Sequence, residues 1–87
     1  MIFVSLYTMT PNHRNSAENR FKQTGGKPPA GIKVIGRWHS VSGGRGVTVC
    51  EASDAQAVAQ WAHDWNDVIH FDIYPAIDDA GLAKLLG

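Results

Sequence analysis

The stretch IKVIGRWHSVSGGRGVTVCEA, residues 32–52, decides the fold. Ile32 to Ser40 reads as a strand, rich in β-branched and aromatic residues. Ser42-Gly43-Gly44-Arg45-Gly46 reads as a turn, and Val47 to Ala52 as the next strand. So short a Gly-rich link joins antiparallel neighbours in a hairpin. It is not a phosphate loop, because no helix N-terminus follows it to hold an anion.

Working outward, each side of this hairpin carries a strand and a helix. Upstream, Ile2 to Met9 is strand-like, and Thr10-Pro11 is a helix start: Thr10 can cap, and Pro11 needs no amide donor at the first helical position. The helix is expected from Pro11 to about Gln23, with Ala17 and Phe21 on its buried face, His13 one turn earlier, and Gly25-Gly26 as its stop. Downstream, Ser53 and Gln56 fit a capping box opening a helix to about Asn66, whose stripe is Val58, Trp61, Ala62 and Trp65. Val68 to Tyr74 is the last strand, closed by Pro75, and Asp78 or Asp79 can cap a short helix through Leu85-Leu86. The order β-α-β-β-α-β with a helical tail is the ferredoxin-like split βαβ arrangement, of α+β class. It implies a four-stranded antiparallel sheet in spatial order 4-1-3-2, with two helices on one face, in a single domain over residues 1–87.

Composition agrees. At 87 residues with 44% hydrophobic and 18% charged, the chain can form a core, but only about 60–65% of the surface of so small a domain is buried on folding, so pairing with a second copy is a natural remedy. No apolar run is long enough to span a membrane, the opening Met1-Ile2-Phe3-Val4 carries no basic signal region, and lone Cys50 can form no internal disulfide. A reduced cytoplasmic setting is expected. Net charge is zero but uneven: seven basic residues against Glu18 up to residue 45, then seven acids against Lys84. The simpler reading is that the halves, or two subunits, complement each other; the other is a nucleic-acid or membrane partner.

Strand residues alternate between faces. One set is almost purely apolar: Ile2, Val4, Leu6, with Ile32, Val34, Gly36, Trp38, with Val47, Val49, and with Ile69, Phe71, Ile73. Hydrophobicity alone places it under the helices. The mixed set, including Phe3, Ser5, Tyr7, Met9, Ile35, Arg37, His39, Thr48, Cys50, His70, Asp72 and Tyr74, then lies on the uncovered face. Such a patch is too apolar to remain wet, which predicts a homodimer, with Arg37 and His39 meeting Asp72 and His70 of the second copy.

Several chemistries can be weighed. Four histidines stand at intervals of 26, 24 and 7, with no HxH or HxxxH pair, so no metal and no cofactor is expected. His39, His70 and Asp72, with Tyr7, Arg37 and Cys50, can share one face as an acid–base or metal pocket; polar residues at an interface or surface are the simpler explanation. Trp61 and Trp65 can line a cavity for a flat molecule or be plain core. His13 sits at a pocket mouth or only at a helix start, and His63 and Asp64 read as solvated. Cys50, in a strand with no basic neighbour in sequence, reads as a structural thiol. The third strand, Gly46 to Glu51, has no aromatic residue, which argues against base stacking and a nucleic-acid partner. A metallochaperone would need a CxxC pair, which is absent, and the segment after the first strand does not match an acylphosphatase cradle.

The chain resembles a family of short bacterial proteins of unknown function with the dimeric α/β-barrel form of this fold. The resemblance rests on the Phe21 helix, the run Pro28-Pro29-Ala30-Gly31-Ile32-Lys33, Arg37-Trp38, Glu51-Ala52-Ser53-Asp54, and Trp61, Trp65-Asn66-Asp67 and Phe71-Asp72-Ile73-Tyr74-Pro75. It implies a fold but no catalytic residues. The wider superfamily includes cofactor-free monooxygenases, haem-degrading enzymes and stress-response barrels, an analogy of fold alone. The resulting expectation is a cytoplasmic homodimer binding a small hydrophobic or aromatic molecule through Tyr7, His13, Trp38, Trp61 and Trp65. If it is instead an enzyme, a monooxygenase or isomerase on an aromatic or polyketide-like substrate, the proton carriers are sought among His13, His39, His70 and Asp72. A structural or regulatory dimer without ligand is the third reading. A cavity of several hundred Å3 faced by a histidine would favour the first two.

Overall fold

The computed structural model describes residues 1–87. Its elements are β1 (Ile2–Met9), α1 (Arg14–Thr24), β2 (Ile32–His39), β3 (Arg45–Ala52), α2 (Ala55–His63), β4 (Ile69–Ala76) and α3 (Asp79–Leu86). The four strands form one antiparallel sheet in the order β2-β3-β1-β4, the ferredoxin-like arrangement of an α+β fold.

Local chemistry sets the boundaries. Residues 11–13 form a turn and α1 starts only at Arg14, because the Thr10 hydroxyl is taken by His13 Nδ1 at 2.8 Å and caps no helix amide. Gly25 ends α1 in the left-handed conformation and returns its N–H to Phe21 O. The cap of α2 is Asp54, one residue beyond the expected Ser53: its carboxylate accepts from the Ala57 amide at 2.9 Å. The helix stops at His63, three residues early, and a turn carries the chain to β4. Asp78 caps α3 as expected, accepting from Gly81 N at 2.9 Å. Pro75 does not close β4, which runs to Ala76; β4 is an edge strand, where a missing amide donor is tolerated.

The faces of the sheet differ from the expectation in β1, β3 and the second half of β2, whereas all of β4, with Ile32 and Val34 of β2, lies as expected. On the helix side lie Phe3, Ser5, Tyr7 and Met9 of β1, paired across to Thr48 and Cys50 on β3 and to Ile69, Phe71 and Ile73 on β4. Phe3 and Tyr7 are 3% and 8% exposed, not the open residues that hydrophobicity alone had suggested. On the open side lie Ile2, Val4, Leu6, Val47, Val49 and Tyr74. β2 belongs to both sets, because a bulge between Val34 and Gly36 reverses its alternation. Ile32 and Val34 stay on the helix side; beyond the bulge Arg37 and His39 turn inward, and Trp38 turns outward at 58% exposed. His70 and Asp72 remain on the open side, so they share no face with Arg37 and His39, and the expected contact between those pairs across a dimer has no basis.

The core is correspondingly thin. Two small clusters are buried: Phe3, Ile32, Cys50, Ala52 and Val58 near one end, and Tyr7, Ala17, Val68 and Ile69 near the other. Cys50 is the largest side chain buried completely. Between sheet and helices, the layer that would normally be packed solid stands open as a cleft.

Candidate functional site

The cleft measures about 690 Å3 and runs beneath α1 and α2 across the helix side of the sheet. Its floor includes Ser5, Tyr7, Thr48 and Cys50; its apolar wall is built by Val58, Trp61, Ala62 and Trp65 of α2 and the following turn, with Ile69, Phe71 and Ile73 from β4. Trp61 enters the cleft from the last turn of α2 and Trp65 from the turn that follows it.

The other end, toward β2 and the last turns of α1, is polar. Tyr7 Oη and His39 Nδ1 are hydrogen-bonded, and the His39 ring meets Tyr7 and Phe21 edge-on, each with centroids 5.7 Å apart. Arg37 lies 5.1 Å from the centroid of Phe21 and donates from Nη1 to Gly26 O at 2.9 Å. Gly26 has φ +59 and is buried, and a Cβ there would strike both Phe21 and Arg37. The second glycine of the α1 stop is therefore what lets these two side chains converge. Arg14, Glu18 and Lys22 of α1 complete this end, with Arg14 Nε and Glu18 Oε1 at 3.4 Å.

Burial shapes the ionisation of this cluster. It pushes the Tyr7 phenol above its ordinary value, with Arg37 opposing and Glu18 assisting. It also lowers Arg37, with Tyr7 opposing. Arg37 has no carboxylate partner, since the ion pairs of the chain are Arg14 with Glu18 and Arg20 with Asp67. Burial likewise raises Cys50, which is free and 1% exposed, in keeping with a structural thiol.

Of the residues singled out from sequence, Tyr7, Trp61 and Trp65 line the cleft, and His39 joins them from β2. Trp38 lies on the opposite face. His13 and His70 border a second, shallower depression with His63, at the α2 side of the molecule. Asp72 lines neither. Arg37, Tyr7, His39 and Cys50 of the expected acid–base cluster do come together in the cleft, without His70 and Asp72, while Phe21 and Lys22 acquire a role that the sequence does not give them. The signal available for Arg37 and His39 was their i, i+2 spacing in one strand, which puts them on a common face. No group of three or more His, Cys, Asp and Glu side chains is placed to share a metal ion, and no helix is long and apolar enough to cross a membrane.

Outside the cleft, Arg20 ties α1 to the turn before β4 through a two-pronged contact with Asp67 at 2.9 and 2.7 Å, while lying 5.2 Å from the centroid of Trp65. This pair crosses from the basic half of the sequence to the acidic half. The profile of a family described as Domain of unknown function (DUF3303) matches residues 1–87. No curated protein and no solved structure matches the chain.

Proposed function

We propose, from the premise that this chain belongs to the DUF3303 family of domains of unknown function, that it is a homodimeric binding protein for a small apolar or aromatic molecule. The observation that carries the ligand reading is the open cleft of about 690 Å3, a volume in the range of small-molecule sites, with Trp61 and Trp65 along one wall and His39 at the mouth. A domain short of buried area gains nothing in stability from leaving this layer unfilled.

The dimer reading rests on the other face. Val4, Leu6, Val47, Val49, Trp38 and Tyr74 form an apolar sheet surface with no helix over it. Four strands of eight residues present about 19 by 26 Å, or about 500 Å2 per subunit, so two copies face to face remove about 1,000 Å2, the lower bound for a specific interface. The rim carries both signs, with Lys33 and Arg45 toward β2 and Asp72 on β4, as a two-fold interface requires.

The test is a titration with the neutral fluorophore N-phenyl-1-naphthylamine. Saturable binding is expected, and Ala62→Trp, which fills the cleft beneath α2, should abolish it while circular dichroism stays unchanged. Binding that survives Ala62→Trp would place the probe elsewhere and remove the proposal. One observation supports the catalytic alternative: a tyrosine and a histidine hydrogen-bonded at the polar end of the cleft can pass a proton, which suits an isomerase-type step. A turnover lost in His39→Ala with probe binding retained would favour that reading.

A further inference from the structure

The cleft is electrically one-sided. At the β4 end its walls are Trp65, Ile69, Phe71 and Ile73, with no charge among them. At the β2 end it carries Lys22, Arg37 and His39, and its one carboxylate, Glu18, is engaged by Arg14. Arg37 is the telling residue. It is half-buried, it is held in place by Phe21 and the Gly26 carbonyl, and only Nη1 has a hydrogen-bond partner, which leaves Nε and Nη2 without one. Placing a cation in a partly dry site without an anion is unfavourable, and nothing in the fold supplies the anion. A guanidinium fork is matched in shape by a carboxylate.

We infer that the Arg37 end of the cleft is a carboxylate subsite, so that the ligand is an organic acid whose apolar or aromatic body lies along Trp61 and Trp65. This rests on the reading of the cleft as a ligand site and narrows it. Three strand spacings separate β2 from β4, about 14 Å, so the body of the acid is a fused ring system or a medium-length chain lying across the sheet. Lys22 adds a second positive charge, and Tyr7 and His39 offer hydrogen bonds beside it.

Calorimetric titration separates the two levels of the argument. The probes are 2-naphthoate against 2-naphthamide and octanoate against octanamide, each pair equal in size and differing in charge. At neutral pH at least one acid should bind about tenfold or more tightly than its amide, the factor expected of a charge-assisted hydrogen-bonded contact. Arg37→Gln should erase that preference and leave amide binding as it was, and Arg37→Lys should restore part of it. Equal binding of acid and amide by the wild-type chain would overturn the carboxylate subsite and leave the apolar cleft standing. Failure of all four probes to bind would overturn the cleft reading as well. The wild-type comparison needs no variant, so it decides the matter even if Arg37→Gln unsettles the Gly26 loop.

Discussion

Leu6 offers a way to weigh the open sheet face. It lies mid-strand between Val47 on β3 and Asp72 on β4, and is 42% exposed in the single chain. Complete burial of a leucine side chain contributes about 1.5–3 kcal/mol, so covering this remaining fraction contributes about 0.6–1.3 kcal/mol. A two-fold interface counts it twice, giving about 1.2–2.5 kcal/mol per dimer, and Leu6→Ala should weaken dimerisation roughly eight- to seventy-fold. Leu6→Lys should do more, since it drives two ammonium groups into an apolar seam. The same lysine is tolerated in the monomer, because Asp72 is its cross-strand neighbour and opposite charges there are favourable. The fold should therefore survive while the assembly fails. Sedimentation velocity across a dilution series reads the association constant, and circular dichroism reads the fold. A dimer whose constant is indifferent to both substitutions would refute the assignment of this face. A wild-type chain that stays single at micromolar concentration would remove the dimer itself.

Other consequences lie inside the cleft and at the α1 tie. Gly46 faces Tyr7 across the strands, and a Cβ at this position would lie 2.5 Å from Tyr7 Cε2 and strike the Trp38 carbonyl; Gly46→Ala should cost about 1–3 kcal/mol in urea unfolding, and an unchanged midpoint would mean the ring is not confined as described. The hydrogen bond from Arg20, aided by its charge, holds Asp67 below the ordinary carboxylate range, so its stabilisation is present above about pH 3.9 and is lost as pH falls through the lower folded value. Asp67→Asn should flatten that acid slope, and urea unfolding at several pH values between about 2 and 5 would show an unaltered slope if the pair contributed nothing. Tyr7 behaves oppositely: its folded value is raised by burial, so its contribution is complete below about pH 10 and declines as pH rises through the folded value. Tyr7→Phe should make the alkaline decline shallower, leaving the part due to Cys50, which burial also raises; a decline as steep as in the wild-type chain would contradict this.

The element order was legible because local signals agree with the fold: the Gly-rich hairpin, the Gly25 stop, the Asp78 cap and the Trp61 to Trp65 stripe all work at short range. The sheet order followed from the split βαβ pattern. Hydrophobicity places β4, Ile32 and Val34 on the correct face, and misplaces β1, β3 and the end of β2. That reasoning assigns the most apolar set to the covered side, and it holds where that side is packed solid. Here the covered side lines a cleft, so it carries Tyr7, Thr48, Arg37 and His39, while Val4, Leu6, Val47 and Val49 face outward. The bulge after Val34 added a second inversion within β2, and strand alternation gives no warning of a bulge. The site was accordingly read in part. Tyr7, Trp61 and Trp65 were found. His39 is legible as a candidate proton carrier but is expected on the interface face, and Phe21 and Lys22 read only as parts of a helix and of the charge distribution.

The three tryptophans allow the account to be tested in one spectrum. Trp61 and Trp65 line the cleft and Trp38 lies on the open sheet face. In a 15N-labelled sample, saturating 2-naphthol should move the indole N–H signals of Trp61 and Trp65 and leave that of Trp38 in place. Diluting the unliganded sample through dimer dissociation should move Trp38 alone. A ligand that shifts only Trp38, or a dilution that shifts only the cleft pair, would contradict the division of the sheet into a binding side and an assembly side.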